Sequence, residues 1–245
     1  MNTVKRLYIL DFGLFQVHQN NRVIGIPGYL IQTHDGENIL VDTGFHPKYV
    51  TDVEQATRED GLESFGRIIS LTADNLPIAQ LAKIGLQPSD ITTLIMTHTD
   101  IDHVGGLGDF PQAPIVIHAD ERAFPQPRYW NNRSPIEWPD SVYQLIDVDC
   151  ELCPGVTLLS TPGHAPGHLS LLVRLPETGS VLLIGDAISR PAELEDGFDG
   201  SWNPELAQAS ADKLMAIAER ENTFIIYGHD PEQWPTLQKA PDFYA

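Results

Sequence analysis

The seven residues at positions 97–103, THTDIDH, restrict what this chain can fold into more than any other segment. They place two histidines and two aspartates within six residues, directly after the apolar run at residues 94–96. Imidazole and carboxylate together suit divalent zinc, iron, manganese or cobalt, and a tight turn after a buried strand lets such groups converge. The alternative is a solvated polar loop, so the metal interpretation requires further ligands elsewhere in the chain.

Length and charge narrow the classes of protein that remain. The 245 residues, of which 42% are hydrophobic, predict a single domain over residues 1–245 with a substantial core. The 15 basic and 34 acidic residues give a formal net charge of −19, which argues against nucleic acid or an anionic membrane as a partner. A small-molecule substrate is compatible with this composition, and so are both a monomer and a homodimer.

The sequence predicts neither a membrane span nor a signal peptide. No stretch approaches the roughly 20 apolar residues of a membrane helix, and the apolar part of residues 1–10 is too short for a signal peptide. The two cysteines, Cys150 and Cys153, form a lone CxxC motif, which fits ordinary reduced thiols. We therefore expect a cytoplasmic protein.

Apolar, β-branched runs bounded by turn residues predict the strands. They lie at residues 6–10, 28–33, 38–41, 94–96, 115–117, 156–160, 169–173, 181–184 and 224–227. Helical spacing follows Asn75 and Pro77 as far as Gly85, and again follows Asn203 and Pro204, where asparagine and proline resemble an N-cap and a first helical residue. Hairpin-like strand pairs mixed with single helices predict an α/β (α+β) fold of two sheets covered by helices.

One long segment, residues 122–138, is rich in proline and aromatic residues. Phe124, Tyr129, Trp130 and Trp138 alternate there with prolines and paired asparagines. A loop of this length and composition is typical of a lid or pocket wall. The aromatic rings could equally anchor the loop to the core.

Three more potential ligands follow predicted strands. His164 comes after a Pro-Gly turn, Asp186 directly follows Gly185, and His229 directly follows Gly228. A glycine at each point can release the chain from a buried strand. Together with the first segment these residues give seven donors, enough for two adjacent metals with one bridging carboxylate: His98, Asp100, Asp102, His103, His164, Asp186 and His229.

In these motifs the chain resembles the metallo-β-lactamase superfamily, whose αββα sandwich carries an HxHxDH metal motif after a strand. It is most similar to the N-acyl-homoserine lactonase branch. The matching segments are LVDTG at residues 40–44, TPGHAPGHLS at 161–170, GSVLL at 179–183 and GHDPEQ at 228–233. The resemblance therefore extends over nearly the whole chain.

The resemblance implies a role for each ligand. His98, Asp100 and His164 would hold the first metal, Asp102, His103 and His229 the second, and Asp186 would bridge them. It also implies that Asp42 orients a ligand imidazole through the free ring N–H. His168 lies in a matching motif, and we expect it to support the site without binding metal.

Two positions depart from the family pattern. Asp100 stands where the motif has its second histidine, and a carboxylate there makes the first site harder. We therefore expect two divalent metal ions, zinc first, with iron, manganese or cobalt as alternatives. Ser189 stands where the lactonase branch has a tyrosine that assists the substrate carbonyl.

The resemblance and the ligand set predict a metal-dependent hydrolase. The expected reaction is opening of a cyclic ester, such as an N-acyl-homoserine lactone, by a hydroxide held between the metals, with Asp102 as proton shuttle. The alternatives are another ester or phosphoester hydrolase on the same metal pair and a catalytically silent ligand-binding protein. The candidate pocket residues are Phe124, Tyr129, Trp130, Trp138, Ser189 and Trp202.

Overall fold

The computed structural model describes residues 4–124 and 138–245, which form two β-sheets and the helices that cover them. The strands are β1 Val4–Val17, β2 Val23–Thr33, β3 Asn38–Val41, β4 Gly66–Ser70, β5 Thr93–Ile95, β6 Ile115–His118, β7 Tyr143–Ile146, β8 Cys150–Cys153, β9 Val156–Ser160, β10 Leu169–Leu175, β11 Gly179–Gly185 and β12 Phe224–Tyr227. The α-helices are α1 Lys48–Thr51, α2 Val53–Asp60, α3 Pro77–Ala82, α4 Ala119–Ala123, α5 Glu193–Asp196 and α6 Pro204–Glu221.

The first sheet has seven strands in the order β4-β1-β2-β3-β5-β6-β7. The strands from β4 to β3 pair antiparallel, whereas β3, β5, β6 and β7 run parallel. The second sheet has the order β12-β11-β10-β9-β8 and is antiparallel except for the β11–β12 pair.

Successive side chains of a strand point to opposite faces of the sheet, and this alternation produces the layers of the fold. In β3, Leu40 packs into the core on the outer face of the first sheet, whereas Ile39 and Val41 enter the core between the sheets. In β10, Leu171 also faces the space between the sheets and Leu172 faces the outer core below α6. One apolar core lies between the two sheets, and one more lies on the outer face of each sheet below its helices. The predicted αββα sandwich is therefore confirmed.

Helix α6 shows how local sequence sets an element. The Asn203 side chain accepts a hydrogen bond of 3.1 Å from the Leu206 amide, and Pro204 fills the first helical position. The helix ends at Asn222, which has a left-handed φ of 50°. Ala207, Ala211 and Leu214 are buried against the second sheet, so this helix closes the outer layer behind the ends of β9 and β11.

The sequence missed three strands, β4, β7 and β8, each of which has exposed residues that weaken the apolar pattern. The sequence also left open whether residues 122–138 form a pocket wall or a loop anchored to the core.

Trp138 lies edge-on to Tyr143 with ring centroids 6.0 Å apart, and the Arg122 guanidinium lies 4.5 Å from the Trp138 ring centroid. This end of the segment is therefore anchored to β7.

In the described ranges, no helix is long and apolar enough to cross a membrane.

Candidate metal centre

The seven predicted ligands meet at one edge of the sandwich, where strands of both sheets end. The segment at residues 98–103 follows β5 of the first sheet. His164 follows β9, Asp186 follows β11 and His229 follows β12, all in the second sheet. Two of these strand ends need glycine. Gly185, at the end of β11, has a φ of +60°, and a Cβ on Gly228, after β12, would come 2.6 Å from the Gly185 carbonyl oxygen.

The loop at residues 97–106 is held against the loop that follows β3. The Thr43 amide donates to the His103 carbonyl at 2.7 Å, and the Gly105 amide donates to the Gly44 carbonyl at 2.7 Å. A side chain at Gly105 would bring its Cβ within 2.0 Å of the His46 backbone nitrogen. Close backbone contact therefore fixes where the ligands of this loop point.

The first group of donors consists of His98, Asp100 and His164. Asp100 Oδ2 lies 3.4 Å from His98 Nε2 and 2.9 Å from His164 Nε2. Asp186 Oδ2 completes the group at 3.9 Å from His98 Nε2 and 3.5 Å from His164 Nε2. One ligand atom from each of the four residues lies within 4.8 Å of the others, so a single cation could contact all four.

The second group consists of Asp102, His103 and His229. Asp102 Oδ1 lies 3.8 Å from His103 Nε2, and Asp102 Oδ2 lies 3.7 Å from His229 Nε2. Asp186 Oδ1 lies 3.9 Å from His103 Nε2 and 3.2 Å from His229 Nε2. Asp186 thus directs one carboxylate oxygen at each group, which is the arrangement of a bridging ligand.

Several atoms at the centre are buried without a hydrogen-bond partner among the residues that the structure describes. They are Nε2 of His98, Nε2 of His103 and Oδ1 of Asp186. A buried polar atom left unpaired costs about 1–3 kcal/mol. Because these atoms point at the same centre as the other donors, the residues present fit a pair of divalent cations coordinated by nitrogen and oxygen.

The opposite nitrogens of three of the histidines are held by the protein. His103 Nδ1 donates to Asp42 Oδ2 at 2.8 Å, and His229 Nδ1 donates to the Gly25 carbonyl at 2.9 Å. His98 Nδ1 donates to Thr97 Oγ1 at 3.0 Å, and that hydroxyl donates to Asp42 Oδ2 at 2.7 Å. These bonds leave Nε2 to face the centre, which is how proteins orient metal-binding imidazoles.

Glu121 is a positioning residue that the sequence did not reveal. Its Oε1 accepts from the Thr99 amide at 2.8 Å and from the Thr99 hydroxyl at 2.6 Å, and its Oε2 accepts from the Gly167 amide at 3.0 Å. Glu121 is 1% exposed although it lies on the short helix α4. A single buried carboxylate therefore ties the loop after β5 to the loop after β9.

His168 is buried behind the centre and both of its ring nitrogens are engaged. The Asp186 amide donates to His168 Nε2 at 3.1 Å, and His168 Nδ1 donates to Thr161 Oγ1 at 2.8 Å. Burial, followed by the charges of His98 and His164, lowers the pKa of His168 well below its usual value. A neutral His168 thus holds the backbone of Asp186.

The electrostatics keep the central carboxylates ionised. Burial would raise the pKa of Asp100, but the neighbouring His98 and His164 outweigh it and hold that pKa well below its usual range. Burial likewise opposes ionisation of Asp186, yet His229, His164 and His103 lower its pKa. The pKa of His229 rises to about 9 because Asp186 and Asp102 outweigh its burial. Cations entering the centre would displace these imidazole protons.

A cavity of about 640 Å³ opens onto both donor groups. Asp100, Asp102, His164, Asp186 and His229 lie on its lining. The other polar lining residues include His18, Gln19, Arg22, Ser64, Ser189, Glu193 and Ser201. The apolar lining residues include Phe15, Val17, Ile24, Phe45, Leu62 and Phe65.

The described lining departs from the predicted pocket wall at three of its six residues. Phe124 and Trp202 contact each other with ring centroids 6.3 Å apart, and neither they nor Trp138 is among the described residues that line the cavity. Their rings are used to pack short loops together. Ser189 does line the cavity, whereas Tyr129 and Trp130 lie outside the described residues.

Comparison with known proteins agrees with this geometry. The sequence profile of the Metallo-beta-lactamase superfamily matches residues 23–229. N-acyl homoserine lactonase AiiA of Bacillus thuringiensis subsp. kurstaki is 33% identical, over 98% of this chain and 99% of the relative. N-acyl homoserine lactonase AttM of Rhizobium radiobacter is 30% identical, over 98% of each chain.

A solved structure supports the same relationship. An N-acyl homoserine lactone hydrolase with the product N-hexanoyl-L-homoserine bound at the catalytic metal centre superposes with a TM-score of 0.86. It is 31% identical, and the match covers 99% of this chain and 100% of that chain. Fold, donor groups and sequence agree: the chain belongs to the metallo-beta-lactamase superfamily, and within it to the N-acyl homoserine lactonase branch.

Proposed function

We propose that this protein is a metal-dependent lactonase that hydrolyses the ring ester of N-acyl homoserine lactones. The observation that carries the proposal is the position of Asp186, with one oxygen toward each donor group, on the lining of a partly apolar cavity. The lactonase activity of relatives that align over nearly their whole length supports the choice of substrate.

The ligand assignment is part of the proposal. His98, Asp100 and His164 would hold one cation, Asp102, His103 and His229 the other, and Asp186 both. When bound, such cations polarise an ester carbonyl and lower the pKa of water. Zinc is the first candidate, and the carboxylate of Asp100 widens the choice to iron, manganese or cobalt.

Asp102 is the residue that we assign to proton transfer. Its side chain is 17% exposed, whereas that of Asp100 is 4% exposed, and it faces the cavity. The water that attacks the ester gives up a proton, and the ring oxygen needs one when the C–O bond of the ester breaks. The Asp102 carboxylate would accept that proton and deliver it to the ring oxygen.

Ser189 does not replace the tyrosine of the lactonase branch through its backbone. Its amide donates to Glu193 Oε2 at 2.7 Å, and its carbonyl accepts from the His229 amide at 2.8 Å. Both groups are therefore committed to holding the loop after β11 against His229. Any help to the substrate from this position must come from the short side chain.

The apolar lining of the cavity suits the acyl chain. Phe15, Ile24, Phe45 and Phe65 present rings and methyl groups but no hydrogen-bonding side chain. Each methylene that leaves water for such a wall contributes about 0.8 kcal/mol. A phosphodiester carries its negative charge at the phosphate, and that group would gain nothing from this wall.

The test is a substrate panel on protein loaded separately with zinc, manganese, iron and cobalt. It contains N-acyl homoserine lactones of increasing chain length, an aryl ester and a phosphodiester. We expect lactone opening, with kcat/KM that rises with chain length. Preferred turnover of the phosphodiester would favour the phosphoester alternative, and ligand-induced thermal shifts without any turnover would favour a silent binding protein.

The panel is repeated with Asp100→His, which restores the motif of the relatives. If Asp100 shifts metal preference, the variant should move its highest activity toward zinc. Identical metal profiles for the two proteins would contradict this role of Asp100.

A further inference from the structure

Arg22 is a cationic side chain on the cavity lining that the proposed reaction does not use. It lies in the turn between β1 and β2. Its backbone is fixed, because the Arg22 amide donates to Asn20 Oδ1 at 3.0 Å and the Arg22 carbonyl accepts from the Val17 amide at 2.9 Å. The turn thus holds Arg22 at the cavity without help from its guanidinium.

The guanidinium of Arg22 has no partner within the part of the chain that the structure describes. Its Nε is buried without a hydrogen bond, and no carboxylate of residues 4–124 or 138–245 forms an ion pair with it. The sequence holds 34 acidic and only 15 basic residues, so anionic partners are plentiful. A guanidinium that lines a cavity without an ion pair can donate from its terminal nitrogens to an acceptor on a bound ligand.

Glu193 is a carboxylate on the same cavity lining that acts on Arg22 through space without forming an ion pair with it. One of its oxygens, Oε2, accepts the Ser189 amide at 2.7 Å. Burial, and after it the charge of Arg190, lowers the pKa of Arg22, while Glu193 and Asp230 oppose that shift through space. The cavity therefore has a positive, donor-rich point beside the polar residues that follow Asp186.

Arg190 provides a comparison within the same cluster. It is close enough to affect the charge of Arg22, yet it is not on the cavity lining and its guanidinium pairs with Asp196 at 2.7 Å. Among the described residues both arginines have a buried Nε without a hydrogen-bond partner, but Arg190 has an ion pair and lies off the cavity, whereas Arg22 lines the cavity and has no ion pair.

We propose that Arg22 is a specificity-determining residue that donates hydrogen bonds to a carbonyl oxygen carried by the substrate outside its lactone ring. The inference rests on the proposed function. Guanidinium donors match carbonyl and carboxylate oxygens in a fixed planar geometry. In N-acyl homoserine lactones the acceptor is the amide carbonyl or, in 3-oxo forms, the additional ketone.

The test compares three lactones on the zinc-loaded protein. N-hexanoyl homoserine lactone offers the amide carbonyl, N-(3-oxohexanoyl) homoserine lactone offers a ketone as well, and γ-decalactone has an alkyl chain but neither group. Arg22→Met should lower kcat/KM at least about tenfold, mainly through KM. The loss should affect both homoserine lactones if the acceptor is the amide carbonyl, and the 3-oxo lactone alone if it is the ketone. The substitution should change γ-decalactone hydrolysis less than about threefold.

The pattern of loss identifies the acceptor. Equal losses for both homoserine lactones assign the amide carbonyl, and a loss confined to the 3-oxo lactone assigns the ketone. Arg22→Lys keeps the charge and should recover part of the loss. An equal loss for γ-decalactone, or no loss for any lactone, would overturn the proposal.

Arg190→Met is the matched control, because it removes a neighbouring charge that does not reach the cavity. Its KM values should stay within about twofold of the parent protein. Failure of the proposed function would be visible separately, since the parent protein would then open none of the lactones. Calorimetric binding of N-hexanoyl homoserine lactone would still decide the inference. Weaker binding by Arg22→Met than by the parent supports it, and equal binding by the two proteins, or no binding by the parent, refutes it.

Discussion

The two donor groups have the same chemical composition but different surroundings. Each has two imidazoles, one aspartate of its own and one oxygen of Asp186. Asp100 of the first group lies within 3.4 Å of two imidazole nitrogens and is almost fully buried. Asp102 of the second group stays at least 3.7 Å from its imidazoles and is partly exposed to the cavity. The same residue type is therefore suited to holding a cation in both groups, and only in the second group is it also placed to move a proton.

Asp186→Ala should have the largest effect, because it removes an oxygen from both groups at once. We expect bound metal to fall well below two ions per chain and kcat/KM to fall at least about 1000-fold. Metal analysis after gel filtration and lactone kinetics check this. Asp212→Ala, on the exposed face of α6, is the control and should match the parent. Full metal content in Asp186→Ala would contradict the bridging arrangement.

The variants Asp102→Asn and Asp100→Asn distinguish the roles of the two aspartates most directly. Asp102→Asn should lower kcat about 100-fold even when metal is supplied in excess, because the amide cannot transfer the proton. Asp100→Asn should lose metal, and excess metal should restore most of its turnover. The measurement is kcat for each variant over a metal titration. If excess metal rescues both variants equally, the proposed division of roles is wrong.

Asp42→Asn tests the bracing behind the centre. Asp42 has a φ of +59°, which asparagine tolerates better than most residues, so the substitution changes charge with little backbone strain. Loss of the charged acceptor for His103 Nδ1 should weaken metal binding about 10- to 100-fold. Competition with a chromophoric chelator measures this affinity. An unchanged affinity would mean that His103 needs no carboxylate to hold its orientation.

Thr97→Val should have the smallest effect and should act on the first group. It keeps the side-chain shape and removes the hydroxyl between His98 and Asp42. We expect metal affinity to fall roughly fivefold, in line with one lost hydrogen bond. In the double variant with Asp42→Asn the two losses should not add, because both act on one network. Additive losses would show that the two residues act independently.

The ligands could be predicted from sequence because each one follows a strand at a local signal. His164, Asp186 and His229 all come after an apolar run and a glycine, and strands of a sandwich that end at one edge bring such residues together. Of the bracing groups, Asp42 and His168 lie in recognisable motifs, but others lack such a signal. Gly25 contributes only a carbonyl to His229 across 204 residues of sequence. Glu121 looks like an ordinary surface residue of a short helix.

The cavity wall was hard to predict for a different reason. Phe15 and Ile24 continue the apolar patterns of β1 and β2, so the amino-acid sequence does not distinguish a pocket residue from a core residue here. The aromatic residues of 122–138 stood out because they interrupt a proline-rich segment, but Trp138 packs on Tyr143. Arg22 follows two asparagines in a turn and resembles a solvent-exposed residue until the fold places it at the cavity.

The donors come from strand ends in both sheets, and this has a consequence for the folding equilibrium. Cations that contact the loop after β5 and the loops after β9, β11 and β12 would act as a clamp across the sandwich. Binding to the native state alone stabilises that state by mass action. In a cell, the steady-state amount of this protein would then depend on the supply of metal. Copies without metal would unfold locally at this edge more often, and proteases would degrade them faster.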